Sequence, residues 1–478
     1  MFRLHSRVLA VALALILPAA AMATPDAEIQ ELRQQLRQIK EDYEQRIAAL
    51  EARLAQTETK AGSAESAAVQ AQDAAQQAAR RPAGENAFNP AISLILSGTY
   101  TDFSQDPATR QVTGFVPASG EAGPPRSFSL GESELTLSAG VDPYFRGYFT
   151  AAVAPDNSVD VEEAYVQTSA LSNGFGLKAG RFFSGVGYLN ELHPHAWEFT
   201  DAPLAYKAFF GGQLGADGVQ LKWLAPTETY FELGAEAGRF LSFPATDAER
   251  NKNGLMSGTV FAHVGGDVGV SSNWRAGLSY VRTDPSDRTF DTTARGTDAA
   301  TGAAVDRSSH NSFSGKSETW IADLVWKWAP DGNAVQTNFK LQGEYFRRRE
   351  AGTLSATVAA DPCAGACTDS YDARQSGWYL QGVYQFMPRW RVGLRYDRLQ
   401  YGSVDVGLID NGTLTPDDLP VLRPYSPQRG TLMVDWRPSE FSLLRLQYAQ
   451  DKSTLGDTDN QLWLQYLLSL GAHGAHRF

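Results

Sequence analysis

Beginning at residue 91, apolar and polar residues alternate along most of the chain, in segments of about ten residues separated by turn-forming sequences. In the last segment Leu462, Leu464 and Tyr466 share one face, whereas Gln461 lies on the other. Successive side chains of a β-strand point to opposite sides, so this alternation indicates strands with one apolar and one polar face. The pattern predicts about sixteen strands, at 91–103, 127–140, 143–154, 159–171, 174–184, 214–225, 228–240, 256–269, 272–283, 317–329, 333–348, 374–387, 389–402, 428–438, 440–451 and 459–478.

The connections between these segments alternate in length. Every second one is a tight turn, such as VDP at 141–143, MPR at 387–389 and RPSE at 437–440, and the others are mostly long and polar. Short turns on one side and long loops on the other are typical of bacterial outer-membrane barrels, whose short turns face the periplasm. A soluble sandwich would also alternate. The regular hairpins instead favour an all-β fold, a transmembrane antiparallel barrel over residues 91–478.

The C-terminal residue supports the same interpretation. Phe478 falls in the phase of the apolar face of segment 459–478. An aromatic residue that ends an alternating strand is typical of chains delivered to the barrel assembly machinery, so we expect that machinery and the lipid bilayer of the Gram-negative outer membrane as partners. The formal net charge of −12 argues against nucleic acid as a partner.

The N-terminal part predicts export and a helical rod ahead of the barrel. Residues 1–23 combine a basic start, a short apolar run and an A-x-A site, which is the pattern of a signal peptide. Residues 60–90, rich in Ala, Gln, Pro and Gly, are the predicted linker. Residues 24–59 are predicted to form a periplasmic coiled-coil oligomerisation segment, because apolar residues recur there every three or four positions: Ile29, Leu32, Leu36, Ile39, Tyr43, Ile47, Leu50 and Leu54. One amphipathic helix lying on the barrel or the membrane is the alternative.

One stretch interrupts the series of strands and is rich in aromatic residues and glycine. This stretch, residues 182–212 and hereafter the insert, occupies the third long connection and holds two of the seven histidines. A connection in this position is well placed to fold inward and narrow the pore. The residues predicted to line that constriction are Glu191, His193, His195, Glu198, Asp201 and Lys207.

His193 and His195 are separated by one residue, with carboxylates nearby in the chain. Imidazole and carboxylate ligands suit zinc and similar divalent ions, and an H-x-H pair in extended backbone places both rings on one side. The pair therefore predicts transient zinc binding. The alternative is a packed loop in which the histidines donate hydrogen bonds to the barrel wall.

If the apolar faces meet lipid, the opposite faces line the lumen. The predicted lumen charges are acidic on early strands and basic on late ones: Glu132, Glu134, Arg146, Glu163, Glu232, Glu236, Lys340, Arg391, Arg395 and Arg445. In a closed barrel the two groups would face each other and create a transverse field across the pore. The alternative is a solvated lumen face whose charges pair between neighbouring strands.

The two cysteines lie four residues apart in the loop-like stretch DPCAGACTDS. In an oxidising envelope Cys363 and Cys367 are expected to form a local disulfide. A metal site there is less favoured, because no nearby histidine or further cysteine completes it.

Two resemblances extend these predictions. The order signal, coiled coil and sixteen-strand barrel, with the phrase VEEAYVQTSALSNGFGLKAGRFFSGVGYLNE at 161–191, resembles the phosphate-selective (porin O and P) class of outer-membrane porins. That resemblance implies a homotrimer, a third loop folded into each lumen and passive uptake of small solutes. The segments HPHAWEFTD and GAHGAHRF are similar to plugless barrels labelled zinc-regulated, TonB-dependent outer-membrane receptors.

These observations predict an outer-membrane porin for small hydrophilic solutes or ions, with divalent metal such as zinc among the candidates. The alternative is a sealed receptor, adhesin or structural envelope tether that does not conduct. No G-x-S-x-G or H-E-x-x-H motif is present, so no enzymatic activity is expected. No cofactor is expected apart from transient zinc, and contact of the rod with peptidoglycan is left open.

The rod prediction is tested by deleting residues 26–58. Because a narrow apolar seam buries itself on copies of itself, the deletion is expected to weaken the oligomer. Native gel electrophoresis of the full-length and shortened proteins measures this. An oligomer of unchanged stability after the deletion would favour the single amphipathic helix.

Overall fold

The computed structural model describes residues 36, 37, 40, 44 and 47, and residues 90–471 except 119–122, 155–157, 170, 242, 246–252, 256, 298–303 and 359–361. The chain divides into two compact units, Met1–Ala87 and Phe88–Phe478. The signal peptide, most of the predicted rod, the linker up to residue 89 and the C-terminal residues 472–478 lie outside the described residues. The predictions made for them remain predictions.

In the first unit, all five described residues are helical. Lys40 and Glu44 form an i,i+4 ion pair of 3.7 Å on this helix. Two members of the predicted apolar seam, Leu36 and Ile47, are 60% and 52% exposed in the single chain. The rod over residues 24–59 and its self-association both remain predictions.

The second unit is an antiparallel sheet of eighteen strand segments within its described residues. The segments are β1 Ala91–Phe103, β2 Ser127–Leu130, β3 Ser133–Gly140, β4 Phe145–Val153, β5 Val159–Thr168, β6 Phe175–Phe183, β7 Gly215–Leu224, β8 Tyr230–Phe240, β9 Ser257–Val268, β10 Ser272–Thr283, β11 Arg288–Thr297, β12 Ala304–Trp328, β13 Asn338–Val358, β14 Cys367–Met387, β15 Trp390–Val406, β16 Gln428–Ser439, β17 Ser442–Lys452 and β18 Asp459–Gly471. Two short α-helices accompany them, α1 Leu204–Phe210 and α2 Gly407–Asp410. Among the described residues, no helix is both long and apolar enough to cross a lipid bilayer.

The sheet closes on itself because β1 pairs with β18 from Ser93↔Gly471 to Phe103↔Gln461. Two barrel strands are interrupted: β2 and β3 both pair with β1, and β10 and β11 both pair with the long β12. The described residues therefore form a closed antiparallel barrel of sixteen strands, as the alternating pattern predicted. Closure leaves no open sheet edge, which is a requirement for a sheet in a membrane.

Exposure separates the two faces of each strand as the alternation predicted. On β17 the outward Leu446 is 50% exposed, whereas the neighbouring Arg445 and Gln447 are buried. On β15 the outward Leu394 is 64% exposed and Arg395 is buried. An apolar outer face combined with a polar inner face is the arrangement of a barrel that spans a bilayer.

Four strands are longer than the alternating segments predicted. Residues 304–316, 349–358, 367–373 and 403–406 continue β12, β13, β14 and β15, so the prediction of polar loops there was wrong. Above a membrane the outer face of a strand meets water and not lipid. Its outward residues therefore need not be apolar, and the alternating pattern disappears from the sequence. Inner side chains of these extensions, including Phe313, Leu354 and Tyr371, pack with Leu414 and Leu422 of the connection after β15.

The assignment of faces is tested at Leu446. Leu446→Arg is expected to lower the free energy of unfolding by about 2–4 kcal/mol, because an arginine near the midplane of the bilayer is poorly solvated. Leu446→Ala at the same position keeps an apolar side chain and is the matched control. Denaturant titration of protein folded into lipid vesicles measures both variants. Equal stabilities for the arginine and alanine variants would contradict a lipid-facing Leu446.

Candidate functional site

The insert begins with the last two residues of β6, and the remaining connection to β7 runs through residue 214. Asn190 holds the two ends of this connection together: its amide nitrogen donates to the carbonyls of Ser184 at 2.8 Å and Leu214 at 2.9 Å. Its amide oxygen accepts from the Leu214 nitrogen at 2.8 Å. The chain therefore leaves and rejoins the barrel wall at one place, and the residues between cross the lumen.

The helical part of the insert packs on the inner faces of β13 and β14. Helix α1 ends at Gly211, whose φ of 65° is the left-handed conformation that glycine adopts easily at a helix end. The rings of Tyr206, Phe209 and Phe210 lie 5.1, 5.7 and 5.7 Å from that of Phe346. All three are fully buried, so apolar contact fixes this part of the insert.

Polar groups of the wall complete the attachment of this helix. The Leu204 nitrogen donates to Asp397 at 2.9 Å, and Arg348 donates to the Ala208 carbonyl at 3.2 Å. A carboxylate at the first turn and a guanidinium at the last turn complement the helix dipole. The Tyr206 hydroxyl donates to the buried Glu344 at 2.9 Å.

The carboxylates of the insert contact the basic wall. Asp201 accepts from Arg395 at 2.8 Å and from Arg429 at 2.5 Å, and Glu198 accepts from Arg391 at 2.7 Å and from Lys340 at 3.3 Å. Lys207, within the insert, lies 3.3 Å from Asp201. Arg445, a further predicted lumen charge, donates to Asp435 at 2.8 Å.

Both carboxylates are held in the charged form. Burial acts to raise the pKa of Asp201, but Arg429 and Arg395 outweigh burial and hold this pKa well below its ordinary value of 3.8. Burial likewise acts to raise the pKa of Glu198, and Arg391 and Lys340 hold it well below 4.5. These ion pairs therefore persist at neutral pH.

The histidines of the insert contact the opposite, acidic wall. His193 Nδ1 lies 3.1 Å from Glu162 and 3.2 Å from Glu134, and its Nε2 lies 3.1 Å from Glu163. His195 Nδ1 lies 2.7 Å from the other oxygen of Glu134. Burial acts to lower the pKa of His193, but hydrogen bonds to Glu134, Glu162 and Glu163 raise it well above 6.5.

The backbone of the H-x-H pair is not the extended strand that was predicted. Pro194–Ala196 form a turn of 3-10 helix, and the imidazole rings stack with centroids 5.7 Å apart and planes at 22°. Both rings nevertheless reach the same wall residue, Glu134. Glu134, Glu162 and His193 place one oxygen or nitrogen each within 4.8 Å of one another, close enough to share a metal ion.

A β-bulge explains why strict alternation does not predict Glu162 as a lumen residue. Alternation assigned Glu163 to the lumen and its neighbour Glu162 to the lipid side. In the structure Thr150 pairs with Glu163 and Ala151 with Val161, so Glu162 is the extra, unpaired residue. Bulges re-aim side chains, and here two consecutive glutamates reach His193.

The remaining predicted residues lie elsewhere along the wall. Glu236 accepts from the Gly185 nitrogen at 2.8 Å, and Lys222 lies 2.7 Å from Glu191 and 3.6 Å from Glu232. Arg146 is exposed and donates to Ser138 at 3.3 Å. Glu236 thus contacts the insert, whereas Arg445 pairs with Asp435 on the adjacent strand and Glu232 with His263. The charged walls combine contacts to the insert with the pairing between neighbouring strands considered above.

Other charged residues of the wall were also absent from the predicted set. Arg429 and Asp435 lie on the inner face of β16, in phase with Thr431 and Met433, so the alternation contained a signal for them. Asp397 accepts from Arg395 at 3.0 Å and Arg429 at 3.4 Å.

Cys363 and Cys367 are joined by a disulfide, with Cα atoms 5.4 Å apart, at the start of β14.

Comparison with known proteins gives a relative that covers most of the chain. No family model matches the chain. An uncharacterized protein of Aquifex aeolicus (strain VF5) is 32% identical over 422 residues, which cover 83% of this chain and 81% of that protein.

Solved structures give weaker similarities. High-pH OprB of Pseudomonas putida (12% identity, TM-score 0.46) covers 80% of this chain and 94% of its own. The outer membrane channel DcaP of Acinetobacter baumannii (11%, 0.45) covers 80% and 97%, and a loop-deletion mutant of the Vibrio cholerae outer membrane protein OmpT (11%, 0.45) covers 80% and 99%. These similarities are too weak to bear on function.

Attachment of the insert to the basic wall is tested with Asp201→Asn. Loss of this carboxylate leaves Arg395 and Arg429 without their shared counter-charge, and the free energy of unfolding is expected to fall by on the order of 3 kcal/mol. Because the pKa of Asp201 is lowered in the folded chain, its stabilisation is present above the unfolded pKa and is lost as the pH falls below about 4. Wild type and Asp201→Asn should therefore converge in stability on acidification.

Denaturant unfolding followed by tryptophan fluorescence at pH 7 and at acidic pH measures this difference. The matched control is Lys207→Gln, which removes a partner of Asp201 whose side chain is 33% exposed and should change stability by less than about 1 kcal/mol. A constant difference between wild type and Asp201→Asn over the whole pH range would contradict the assignment.

Proposed function

The chain belongs to the same protein family as the uncharacterized Aquifex aeolicus protein, and, since that name states no activity, we propose a function from the structure: an outer-membrane porin. It would give passive diffusion of small hydrophilic solutes or ions through a lumen narrowed by the insert. Outward apolar residues and inward charges support insertion in a bilayer around a polar lumen. No enzymatic role is proposed.

The observation that carries this proposal is the fixed position of the insert. Its histidines contact the acidic wall and its carboxylates contact the basic wall, so it is a built constriction within the barrel. Charged side chains on and beside it retain solvent access: 27% for Glu191, 33% for Lys207, 17% for His193 and 17% for Lys340. Accessible charges on an inner wall support a hydrated path for polar solutes.

Carboxylates of the insert neutralise the arginines of the basic wall, and this affects which solutes the lumen would select. Arg391, Arg395 and Arg429 each pair with Glu198 or Asp201 of the insert. A phosphate-selective constriction would instead present dense positive charge to the solute, so we propose a porin without phosphate selectivity. Energised, TonB-dependent transport is not part of the proposal.

The remaining parts of the proposal concern orientation and assembly. The short turns would face the periplasm, together with the predicted coiled coil. The rod would associate with copies of itself, and the proposed assembly is a homotrimer. Insertion by the barrel assembly machinery and contact of the rod with peptidoglycan remain proposals of the sequence analysis.

The proposed function is tested by single-channel recording of the refolded protein in planar bilayers. Wild type is expected to give steady openings in groups of three. Replacing residues 186–211 by a short Gly-Ser linker is expected to raise the conductance of each step severalfold, because the constriction is removed. Replacing residues 331–335 by the same linker is the control, since that exposed turn lies outside the insert.

Two results would contradict passive diffusion. A folded protein that is silent with and without the insert would indicate a sealed receptor, adhesin or tether. A silent wild type with a conducting linker variant would show that the insert is a plug. The control variant should conduct as wild type does.

A further inference from the structure

Where the insert meets the acidic wall, carboxylates outnumber the groups that balance them. Glu132, Glu134, Glu162 and Glu163 gather around His193 and His195. We propose that His193, Glu134 and Glu162 bind one divalent transition-metal ion at this junction, with zinc the best match. This site keeps His193 of the predicted H-x-H pair as a ligand and replaces His195 by Glu134 and Glu162.

The three ligand atoms are already arranged as they would be around an ion. His193 Nδ1 lies 3.1 Å from Glu162 Oε2 and 3.2 Å from Glu134 Oε2, and all three atoms lie within 4.8 Å of one another. Zinc bonds of about 2.0–2.1 Å in a tetrahedron separate two ligand atoms by about 3.3 Å. Small side-chain shifts, with release of the His193 Nδ1 proton to solvent when the ion binds, would bring all three into coordination.

Two further residues orient these ligands. Glu163 lies 3.1 Å from His193 Nε2, the ring nitrogen opposite the proposed ligand atom Nδ1. This is the carboxylate–histidine–metal arrangement, in which the second carboxylate fixes the tautomer and the ring orientation. His195 Nδ1 lies 2.7 Å from Glu134 Oε1 and holds that carboxylate with its other oxygen toward His193. His195 is thus a positioning residue.

Glu132 supplies an independent sign that a cation belongs here. Its Oε1 is buried and has no hydrogen-bond partner among the described residues, and its side chain interacts with that of Glu162. Four carboxylates therefore meet only two imidazoles at this junction. Buried carboxylates require pairing or metal coordination, and a divalent cation would offset their mutual repulsion.

The donor set selects the class of ion. Calcium and magnesium prefer all-oxygen ligands, whereas mixed imidazole and carboxylate ligands suit zinc and neighbouring transition metals. The site is built from three separate parts of the chain: Glu134 on β3, Glu162 on β5 and His193 on the insert. A bound ion would therefore fasten the insert to two strands of the wall.

The binding experiment uses the full chain folded in detergent micelles and isothermal titration calorimetry with zinc chloride. Wild type is expected to bind one ion per chain at this site. His193→Gln and Glu162→Gln, each removing a ligand, should weaken binding by more than about 100-fold, and Glu163→Gln by about 10–100-fold. Magnesium and calcium should not compete.

The matched control is His310→Gln, which removes an exposed histidine that also lies beside a carboxylate, 2.7 Å from Asp291. Zinc affinity should be unchanged in this variant. Absence of zinc binding by correctly folded wild type would overturn the proposal. Retention of wild-type affinity by both His193→Gln and Glu162→Gln would overturn it too, because the ion would then bind elsewhere on the chain.

An effect of the ion on current rests on the proposed porin function, whereas binding does not. If both hold, zinc should change the open-channel conductance of wild type and His310→Gln, and this change should be absent in His193→Gln. A silent barrel that binds zinc with the expected variant pattern would overturn the porin function and keep the site. A conducting barrel without calorimetric zinc binding would overturn the site and keep the porin function.

Discussion

Charges buried in a narrow lumen need partners of opposite sign, and this requirement governs the path of the insert. Burying an ion without such a partner is strongly unfavourable. The insert presents histidines on one side and carboxylates on the other, and each meets the complementary wall of the barrel: His193 meets Glu134, and Asp201 meets Arg395. The aromatic helix α1 supplies apolar contact with the barrel wall. Charge pairing therefore determines which side of the insert faces each wall, and packing of α1 holds the insert against β13 and β14.

The same pairing changes how the charged walls act on a solute. Arginines and glutamates on opposite walls would polarise the lumen if water alone separated them. With Glu198 and Asp201 bound to the arginines, much of that field is neutralised locally. Discrimination among solutes would then depend more on size and on the residual accessible charges than on a strong transverse field.

The barrel could be predicted from the sequence because a bilayer imposes one apolar face on every spanning strand. Leu446 and Leu464 follow that rule, and so do their buried neighbours Arg445 and Gln465. Above the bilayer this rule does not apply, so the alternation predicted loops where β12 to β15 extend. The partners of His193 and Asp201 lie on distant strands, and no local pattern encodes contacts across a lumen.

Because of the bulge at Glu162, the number of residues in β5 determines which carboxylates reach the acidic wall. One additional residue within β5, opposite the Thr150–Ala151 step of β4, brings Glu162 to the same side as Glu163. A relative that lacks this residue would return to strict alternation and could present only one of the two carboxylates to the lumen. Two sequence features therefore identify relatives able to form the same junction: the additional residue in the β4–β5 hairpin and the H-x-H pair. Relatives without these features would keep only the barrel.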